Sequence, residues 1–161
     1  MKFYTNGNDG FSMVAYHLNQ TLSSFGGVTR GICEVINGKL SSVTETSNIR
    51  KIDNCITSEG SVEWEGKEPV SVNMWGFTPV LFNYLKEMFL HFLNEKGGVI
   101  DSEFLIPTVI NDLILEGRET VQVLHSNSLW FGVTYKEDKP YVVEAIQKLI
   151  TSGKYPQKLF G

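Results

Sequence analysis

The amino-acid sequence predicts a single α/β domain in which helices flank a mixed sheet. The chain has 161 residues, of which 42% are hydrophobic, and this is enough for one globular core. Its first half is rich in β-branched and aromatic residues separated by Gly and Asn, which is typical of strands. After residue 70, apolar runs alternate with segments of helical period. Such an alternation favours a layered α/β sheet.

Four strands are predicted in the first half of the chain, at residues 12–18, 28–35, 40–46 and 70–77. Asn37-Gly38 separates the second strand from the third and predicts a two-residue hairpin, because both central positions of a type I′ turn need positive φ. The fourth strand is almost continuously apolar, so we expect it at the centre of the sheet. Residues 47–69 are polar and are predicted to form an insertion or a small hairpin, with apolar and acidic residues alternating over 61–65.

Three helices are predicted in the second half of the chain. Thr78 offers an N-cap and Pro79 a first-turn proline for the first helix. Pro107 should start the second helix late or split it. Turn residues and the 3.6-residue period place the helices at 78–97, 102–116 and 138–153, with short strands at 120–124 and 129–133.

Charge and composition exclude several classes of function. The 14 basic and 18 acidic residues give a formal charge of -4 without a basic stripe, so no nucleic-acid partner is expected. The sequence has no apolar run of about 18 residues, and residues 1–7 lack the apolar core of a signal peptide. We therefore expect no membrane segment and a cytoplasmic location. Cys33 and Cys55 lack a CxxC spacing and are predicted to be free thiols.

No common catalytic template fits the sequence. The three histidines are isolated, without an HExxH or GxSxG pattern. The glycine clusters at 6–10 and 26–27 lack the Lys-Ser/Thr of a phosphate loop and are predicted to be turns. Acidic residues at 63–68 and 101–103 lie among polar turn residues, where a solvated surface is expected. No catalytic residue is assigned.

Six short phrases stand out in order along the chain: YHLNQTLS (16–23), VTRGIC (28–33), VTET (43–46), VSVNMWGFTP (70–79), SEFLIP (102–107) and WFGVTYKED (130–138). Together they resemble the C-terminal half of bacterial nucleotidyltransferase-family proteins, relatives of the sugar-phosphate nucleotidylyltransferases. The phrases at 73–77 and 130–138 are the most specific. The resemblance covers nearly the whole chain.

This resemblance implies a partial Rossmann-like fold of the nucleotide-diphospho-sugar transferase type. It also implies a reaction that joins a nucleoside triphosphate to a phosphorylated sugar or similar acceptor and releases pyrophosphate. Attack of a phosphate on an α-phosphoryl group needs charge neutralisation and in-line positioning, and in the intact family Mg²⁺ contributes to both. The implied partners are therefore a nucleoside triphosphate and a sugar phosphate.

The nucleotide-binding elements of the resembled family have no counterpart in this sequence. The family holds the triphosphate with a glycine-rich loop that carries Arg and Lys after the first strand, and a metal-binding Asp follows a middle strand. The sequence begins just after both elements. Residues 1–161 are therefore expected to be the acceptor-side, C-terminal portion of such a domain, inactive alone and without a cofactor of its own.

Four substrate-binding residues are predicted on the acceptor side. The resemblance matches Gly31 to a glycine whose main chain approaches the sugar, and Glu45 to a glutamate that accepts hydrogen bonds from sugar hydroxyls, although an exposed strand-end acid is an alternative. Asn73 is either a ligand contact or a satisfied core amide. Arg30 is expected either to meet an acceptor phosphate or to form a surface salt bridge.

One position departs from the resembled family. Where the better-known enzymes have a metal-binding Asp, this sequence has Gly132. Asp138 is a candidate replacement as a metal ligand. Its place just before Lys139-Pro140 favours a helix N-cap instead.

A second class of function stays open. The chain could be a non-catalytic module of the same fold that binds a sugar phosphate or a partner protein. The absent loop favours this module, whereas the family phrases favour the enzyme fragment. The absent half would normally cover one face or edge of the sheet, so an apolar patch and a homo-oligomer are predicted. A monomeric mass in light scattering at high concentration would count against the oligomer.

Overall fold

The computed structural model describes residues 10–59 and 63–158 and contains seven strands in this part of the chain. The strands are β1 (Phe11–His17), β2 (Val28–Ile36), β3 (Lys39–Ile52), β4 (Cys55–Thr57), β5 (Glu63–Trp64), β6 (Pro69–Gly76) and β7 (Val121–His125). The helices are α1 (Leu81–Lys96), α2 (Ile106–Leu115) and α3 (Asp138–Thr151), and a short 3₁₀ turn covers Leu18–Gln20.

Five of the strands close into a small barrel. Their order is β2-β6-β1-β7-β3, and β3 pairs again with β2, which completes the ring. β1 and β7 are parallel, whereas the other described pairings are antiparallel. β3 continues beyond the ring and carries β4 and β5 as an antiparallel arm.

The predicted fold class is therefore wrong. The sheet closes on itself and three helices accompany it, so the molecule is neither a layered α/β sheet nor a Rossmann-like fold. Irregularities in the β2–β3 ladder, between Val28 and Arg30 and between Glu34 and Val35, are of the kind that increases strand twist. The tip of the hairpin reaches β7, where Lys39 pairs with Gln122. Closure of the barrel depends on these non-local contacts, and the periodicity of the sequence does not predict them.

Most local predictions agree with the structure. Asn37 and Gly38 have φ of 51° and 77°, as predicted for the hairpin. Pro107 lies in the first turn of α2, which starts late as expected. Three predictions are wrong. β3 continues through residue 52 into the predicted insertion, and residues 129–133 form no strand. α1 begins at Leu81 without a side-chain cap from Thr78. The glycine turn at 6–10 and the alternation at 61–65 fall largely outside the described residues.

The core consists of two clusters on the two faces of the sheet. The larger cluster lies between β1, β2, β3, β7 and the helices α1 and α2; its fully buried members include Phe11, Met13, Ile110, Leu113 and Val121. The smaller cluster is formed by Leu18, Val28, Ile49, Ile56 and Val70 beneath the β4–β5 arm. The Val43 N–H donates to Asn111 Oδ1 at 3.1 Å and ties α2 to β3. α2 is therefore the helix that closes the larger cluster.

Both cysteines are free thiols, as predicted. Burial raises the pKa of Cys33 to about 12, so its thiol is protonated and unreactive at neutral pH. Within residues 10–59 and 63–158, no helix has the length and apolar character needed to cross a membrane.

Candidate functional site

The candidate site lies where the two parallel strands end. β1 and β7 are neighbours, so their carboxyl ends share one edge of the barrel, and the segments that follow them meet there. Between residues 19–25 on one side and 129–141 on the other is a cavity of about 480 Å³, with Arg30 in its wall. We call this cavity the loop pocket. This volume is within the range of small-molecule sites.

Two long-range hydrogen bonds hold the walls of the loop pocket together. The Tyr135 hydroxyl donates to the Gly27 carbonyl at 2.6 Å. The Ser23 hydroxyl donates to Asp138 Oδ1 at 2.9 Å. Each bond joins the segment after β1 to the segment after β7. The pocket is therefore fixed by tertiary contacts, although much of its wall has no regular secondary structure.

Asp138 stabilises the pocket wall. Its side chain is buried, and its second carboxylate oxygen accepts hydrogen bonds from the N–H groups of Thr134 (3.0 Å) and Tyr135 (2.8 Å). The Tyr135 hydrogen bond, with those from Ser23 and Thr134, holds the pKa of Asp138 below its ordinary value against the opposing effect of burial. Asp138 is predicted to be the N-cap of α3, but it is the first helical residue instead. Its side chain accepts hydrogen bonds from N–H groups of the turn before the helix and not from N–H groups within the helix.

The surroundings of Asp138 do not fit a magnesium site. Both carboxylate oxygens already accept hydrogen bonds from protein donors. No group of three or more His, Cys, Asp or Glu suited to a metal ion occurs in the described part of the chain. A hard cation of this type needs several oxygen ligands, of which carboxylates are the usual protein contribution. We therefore assign Asp138 a structural role and derive no metal-dependent step.

Substitution of Asp138 is expected to reveal this role through pH. A carboxyl with a depressed native pKa adds stability above its unfolded pKa, near 3.8, and loses it as pH falls through the lower native value. We expect Asp138→Asn to lower the thermal midpoint at pH 7, and the deficit relative to wild type to shrink below the ordinary carboxyl pKa. Thermal melts followed by circular dichroism, at pH 7 and at a pH below 3.8, check this expectation. Glu137→Gln, an exposed neighbour, is the control, and an unchanging deficit would contradict the assignment.

Arg30 is the cationic residue in the wall of the loop pocket, which also contains the Asp138 carboxylate. One terminal nitrogen donates to the Thr29 carbonyl at 2.7 Å and the other to the Thr21 carbonyl. Its guanidinium carbon lies 4.8 Å from the centre of the Trp130 ring, in cation–π geometry. None of the ion pairs among the described residues includes Arg30. The predicted salt-bridge alternative is therefore not observed.

Two polar atoms at this pocket lack hydrogen-bond partners. They are Arg30 Nε and Gln20 Oε1, the buried side-chain atoms of residues 10–59 and 63–158 that remain unsatisfied. Both residues line the loop pocket. Buried polar groups in native proteins are normally paired, so two buried unpaired atoms in residues of one cavity wall mark a place where hydrogen bonding within the protein is incomplete. The loop pocket is therefore the strongest candidate binding site in the described structure.

Gly31 and Glu45 are brought together beside the larger core cluster. They pair across β2 and β3, and Gly31 also pairs with Ser71 of β6. A Cβ on Gly31 would lie 2.9 Å from Val43 Cγ2 and 3.5 Å from Glu45 Oε1. Close packing thus explains a glycine here without a ligand. Partial burial raises the pKa of Glu45 and the charge of Arg30 lowers it, so the two charges lie near enough to interact.

Asn73 lies in a local irregularity of β6. Its φ is 60°, a left-handed conformation that asparagine tolerates better than most residues. The register with β1 shifts between the pairs Met13–Trp75 and Ala15–Ser71, which places Asn73 in the bulge. Its Oδ1 accepts a hydrogen bond of 3.4 Å from Trp75 Nε1, and the residue is exposed. The core-amide alternative is therefore not observed, and Asn73 remains accessible to a ligand.

Gly132 lies against the indole of Trp130. A Cβ at Gly132 would fall 1.9 Å from a carbon of the Trp130 ring. The absence of a side chain at residue 132 is therefore what allows Trp130 to lie where it stacks on Arg30. At this position the structure gives glycine a packing reason, independent of any metal.

Sequence reasoning found Arg30 but missed most of its pocket. Trp130 and Gln20 both lie in phrases that carry the resemblance, at 130–138 and 16–23, but neither is predicted as a site residue. The signal for Gln20 is absent from the sequence, because an unpaired buried amide is visible only once the tertiary environment is known. The sequence does contain a signal for Trp130 and Tyr135, because binding residues are often found on loops and aromatic residues often contribute to them.

No protein-family model matches the chain, and no curated protein matches it either.

Proposed function

We propose that this chain binds the phosphorylated sugar, or a similar phosphorylated acceptor, of a nucleotidyltransferase. The observation that carries the proposal is Arg30, a cation in the wall of the loop pocket that forms no ion pair among the described residues. A phosphate offers several strong acceptor oxygens and a double negative charge, which match a guanidinium better than a neutral ligand does.

The rest of the loop pocket suits a polar ligand that carries a flat apolar face. Ser24, Thr134 and Gln20 contribute polar side chains to its lining, and the Ser23 hydroxyl is held by Asp138. Trp130 contributes an aromatic wall. A sugar presents hydroxyls to such donors and acceptors, and its C–H face packs on aromatic rings. Charge, hydrogen bonding and shape all support the same class of ligand.

Glu45 and Asn73 do not line the loop pocket, and Asn73 lines a separate recess with Trp75 and Phe77; we propose them as contacts for the part of the acceptor that extends beyond the pocket. Glu45 interacts electrostatically with Arg30, and a ligand whose phosphate lies at Arg30 would extend hydroxyls toward this carboxylate. Asn73 has an exposed amide whose oxygen is already held by Trp75, so its NH₂ group is available as a donor. In this arrangement the chain orients the acceptor, and the charge on the transferred phosphoryl group is neutralised by residues or ions outside the described site.

The alternative is a sugar-phosphate-binding or protein-interaction module without turnover. The hydrogen bonds that occupy Asp138 favour it, because the proposed site offers no carboxylate set for the Mg²⁺ of the resembled family. Both proposals share the phosphorylated ligand. Both also fit a cytoplasmic location, where nucleotide sugars would be made or sensed.

The test is a comparison of binding and turnover by the purified chain. We expect sugar 1-phosphates to bind weakly, the same sugars without phosphate to bind less, and no pyrophosphate to be released from common nucleoside triphosphates with Mg²⁺. Isothermal titration calorimetry measures the first two results and a coupled phosphate assay the third. Stronger binding of the unphosphorylated sugars would overturn the proposal.

Variants separate the proposed contacts within the same titration. Glu45→Gln and Asn73→Gly should each weaken binding by about 3- to 10-fold, the cost of one or two hydrogen bonds. Glycine is chosen at residue 73 because it removes the amide and keeps the left-handed backbone. Glu34→Gln, an exposed acid on the same hairpin, is the control. If wild type releases pyrophosphate and Glu45→Gln does not, the chain contains a complete active site, and the prediction that it is inactive alone is wrong.

A further inference from the structure

A second concave surface lies between α1 and α2, away from the loop pocket. It is a groove of about 340 Å³ whose floor includes Met88, Phe92 and Val109. Phe104 belongs both to this groove and to an adjoining apolar recess of about 400 Å³. We call the two together the helix groove. It shares no lining residue with the loop pocket, although Phe104 and its neighbours also line the recess that contains Asn73.

The recess end of the helix groove exposes large apolar side chains. Phe89 is 43% exposed and Leu90 57% exposed, and both line the recess. α1 buries Leu81 and packs Tyr84, Leu85 and Met88 half-buried against the larger core cluster, whereas Phe89 and Leu90 on its remaining apolar surface have no such cover. A helix of a monomeric protein normally buries an apolar stripe, and contiguous exposed apolar surface marks an interaction site. This part of the groove is therefore an apolar surface that nothing in the described structure covers.

The other end of the helix groove is strongly acidic. Five carboxylates line it against two permanent cations, Lys96 and Arg118; the carboxylates belong to Glu87, Glu95, Glu103, Asp112 and Glu116. The formal charge of the groove is therefore −3, most of the −4 carried by the whole chain. The net negative charge of the chain is small, but it is concentrated at the helix groove.

Two of these carboxylates have no cationic partner in the described part of the chain. Arg118 is already paired with Glu87 at 2.9 Å and Glu116 at 3.3 Å. Asp112 and Glu103 take part in none of the ion pairs among the described residues. Burial, and then the neighbouring charge of Glu116, raise the pKa of Asp112, so a cation beside it would relieve an unfavourable environment.

We propose that the helix groove docks a basic amphipathic helical segment of a partner protein. Apolar side chains of the segment would fill the recess beside Phe89 and Phe104, and its Lys or Arg side chains would pair with Glu103 and Asp112. An amphipathic helix in an apolar groove is a common recognition mode, and charge complementarity selects the basic partner. A second copy of this acidic chain would bring a further −4 to an acidic surface, which disfavours self-association there.

The experiment uses a labelled synthetic helical peptide with Leu on one face and Lys on the other, and a twin with Glu in place of Lys. We expect the Lys peptide to raise fluorescence anisotropy with the purified chain, more weakly at high salt, and the Glu twin to have no effect. The double variant Glu103→Gln/Asp112→Asn should weaken binding by about tenfold. Glu34→Gln/Glu63→Gln removes the same charge far from the groove and should bind normally.

Three outcomes would overturn the proposal. Equal binding of both peptides would show apolar adhesion without charge selection. Equal binding by the Glu103→Gln/Asp112→Asn variant and its control would place the peptide elsewhere. A dimer in analytical ultracentrifugation that Leu90→Lys dissociates would identify a second copy as the occupant. Leu90 is exposed, so this variant keeps the fold.

Discussion

Replacement of Arg30 by alanine is expected to raise the dissociation constant for a sugar 1-phosphate by about 30- to 100-fold, since hydrogen bonds to charged groups contribute roughly 2–3 kcal/mol. The variant removes the cation of the loop pocket and leaves Trp130 without its stacking partner. Calorimetric titration of the variant and of wild type measures the change. The proposed function depends on this result more than on any other.

Arg30 also braces the pocket, so binding must be separated from folding. It donates to the carbonyls of Thr21 and Thr29, and the variant will lose some thermal stability as well. Arg30→Lys provides the comparison: it keeps the charge, loses the planar fork, and should bind with intermediate affinity. If Arg30→Ala melts as a folded protein and still binds the sugar phosphate like wild type, Arg30 is a structural residue only.

The local elements of the fold could be predicted from the sequence, whereas its closure could not. Periods of two and 3.6 residues are local properties, and they located β1, β2, β6 and all three helices. Closure instead depends on the hairpin tip. Gly38 accepts hydrogen bonds from Gln122 Nε2 at 2.7 Å and from the Val123 N–H at 2.9 Å, across more than eighty residues. Nothing in the pattern around residue 38 indicates that its carbonyl binds β7.

The candidate site was predictable only in part, for a related reason. The hairpin at Asn37-Gly38 places Gly31 and Glu45 near each other on β2 and β3, but its register alone would pair Gly31 with Thr44. The irregularity between Glu34 and Val35 shifts the partner to Glu45, and the sequence does not indicate it. The loop pocket does not follow, because its walls come from segments far apart in the chain. Asp138 illustrates the limit: its position predicted a helix start, but its bonds to Ser23 and to the preceding turn depend on the tertiary structure.

Substitution of Gly132 separates the packing explanation from a metal explanation. The resembled family has a metal-binding Asp at this position, so a lost metal ligand would be restored by Gly132→Asp. The structure instead places the Cβ of any residue here 1.9 Å from the Trp130 ring, too close for both to remain. We expect Gly132→Ala and Gly132→Asp to destabilise the chain similarly, by about 2 kcal/mol, a typical cost of overpacking.

That destabilisation corresponds to a decrease of about 4–8 °C in the thermal midpoint for a chain of this length. Both variants should also weaken sugar-phosphate binding, because a displaced Trp130 no longer stacks on Arg30, and Mg²⁺ should restore neither property. Gly98→Ala is the matched control, since a Cβ there meets no atom within 4 Å. If Gly132→Asp instead gains Mg²⁺-dependent stability that Gly132→Ala lacks, the residue occupies a metal position and the packing explanation is wrong.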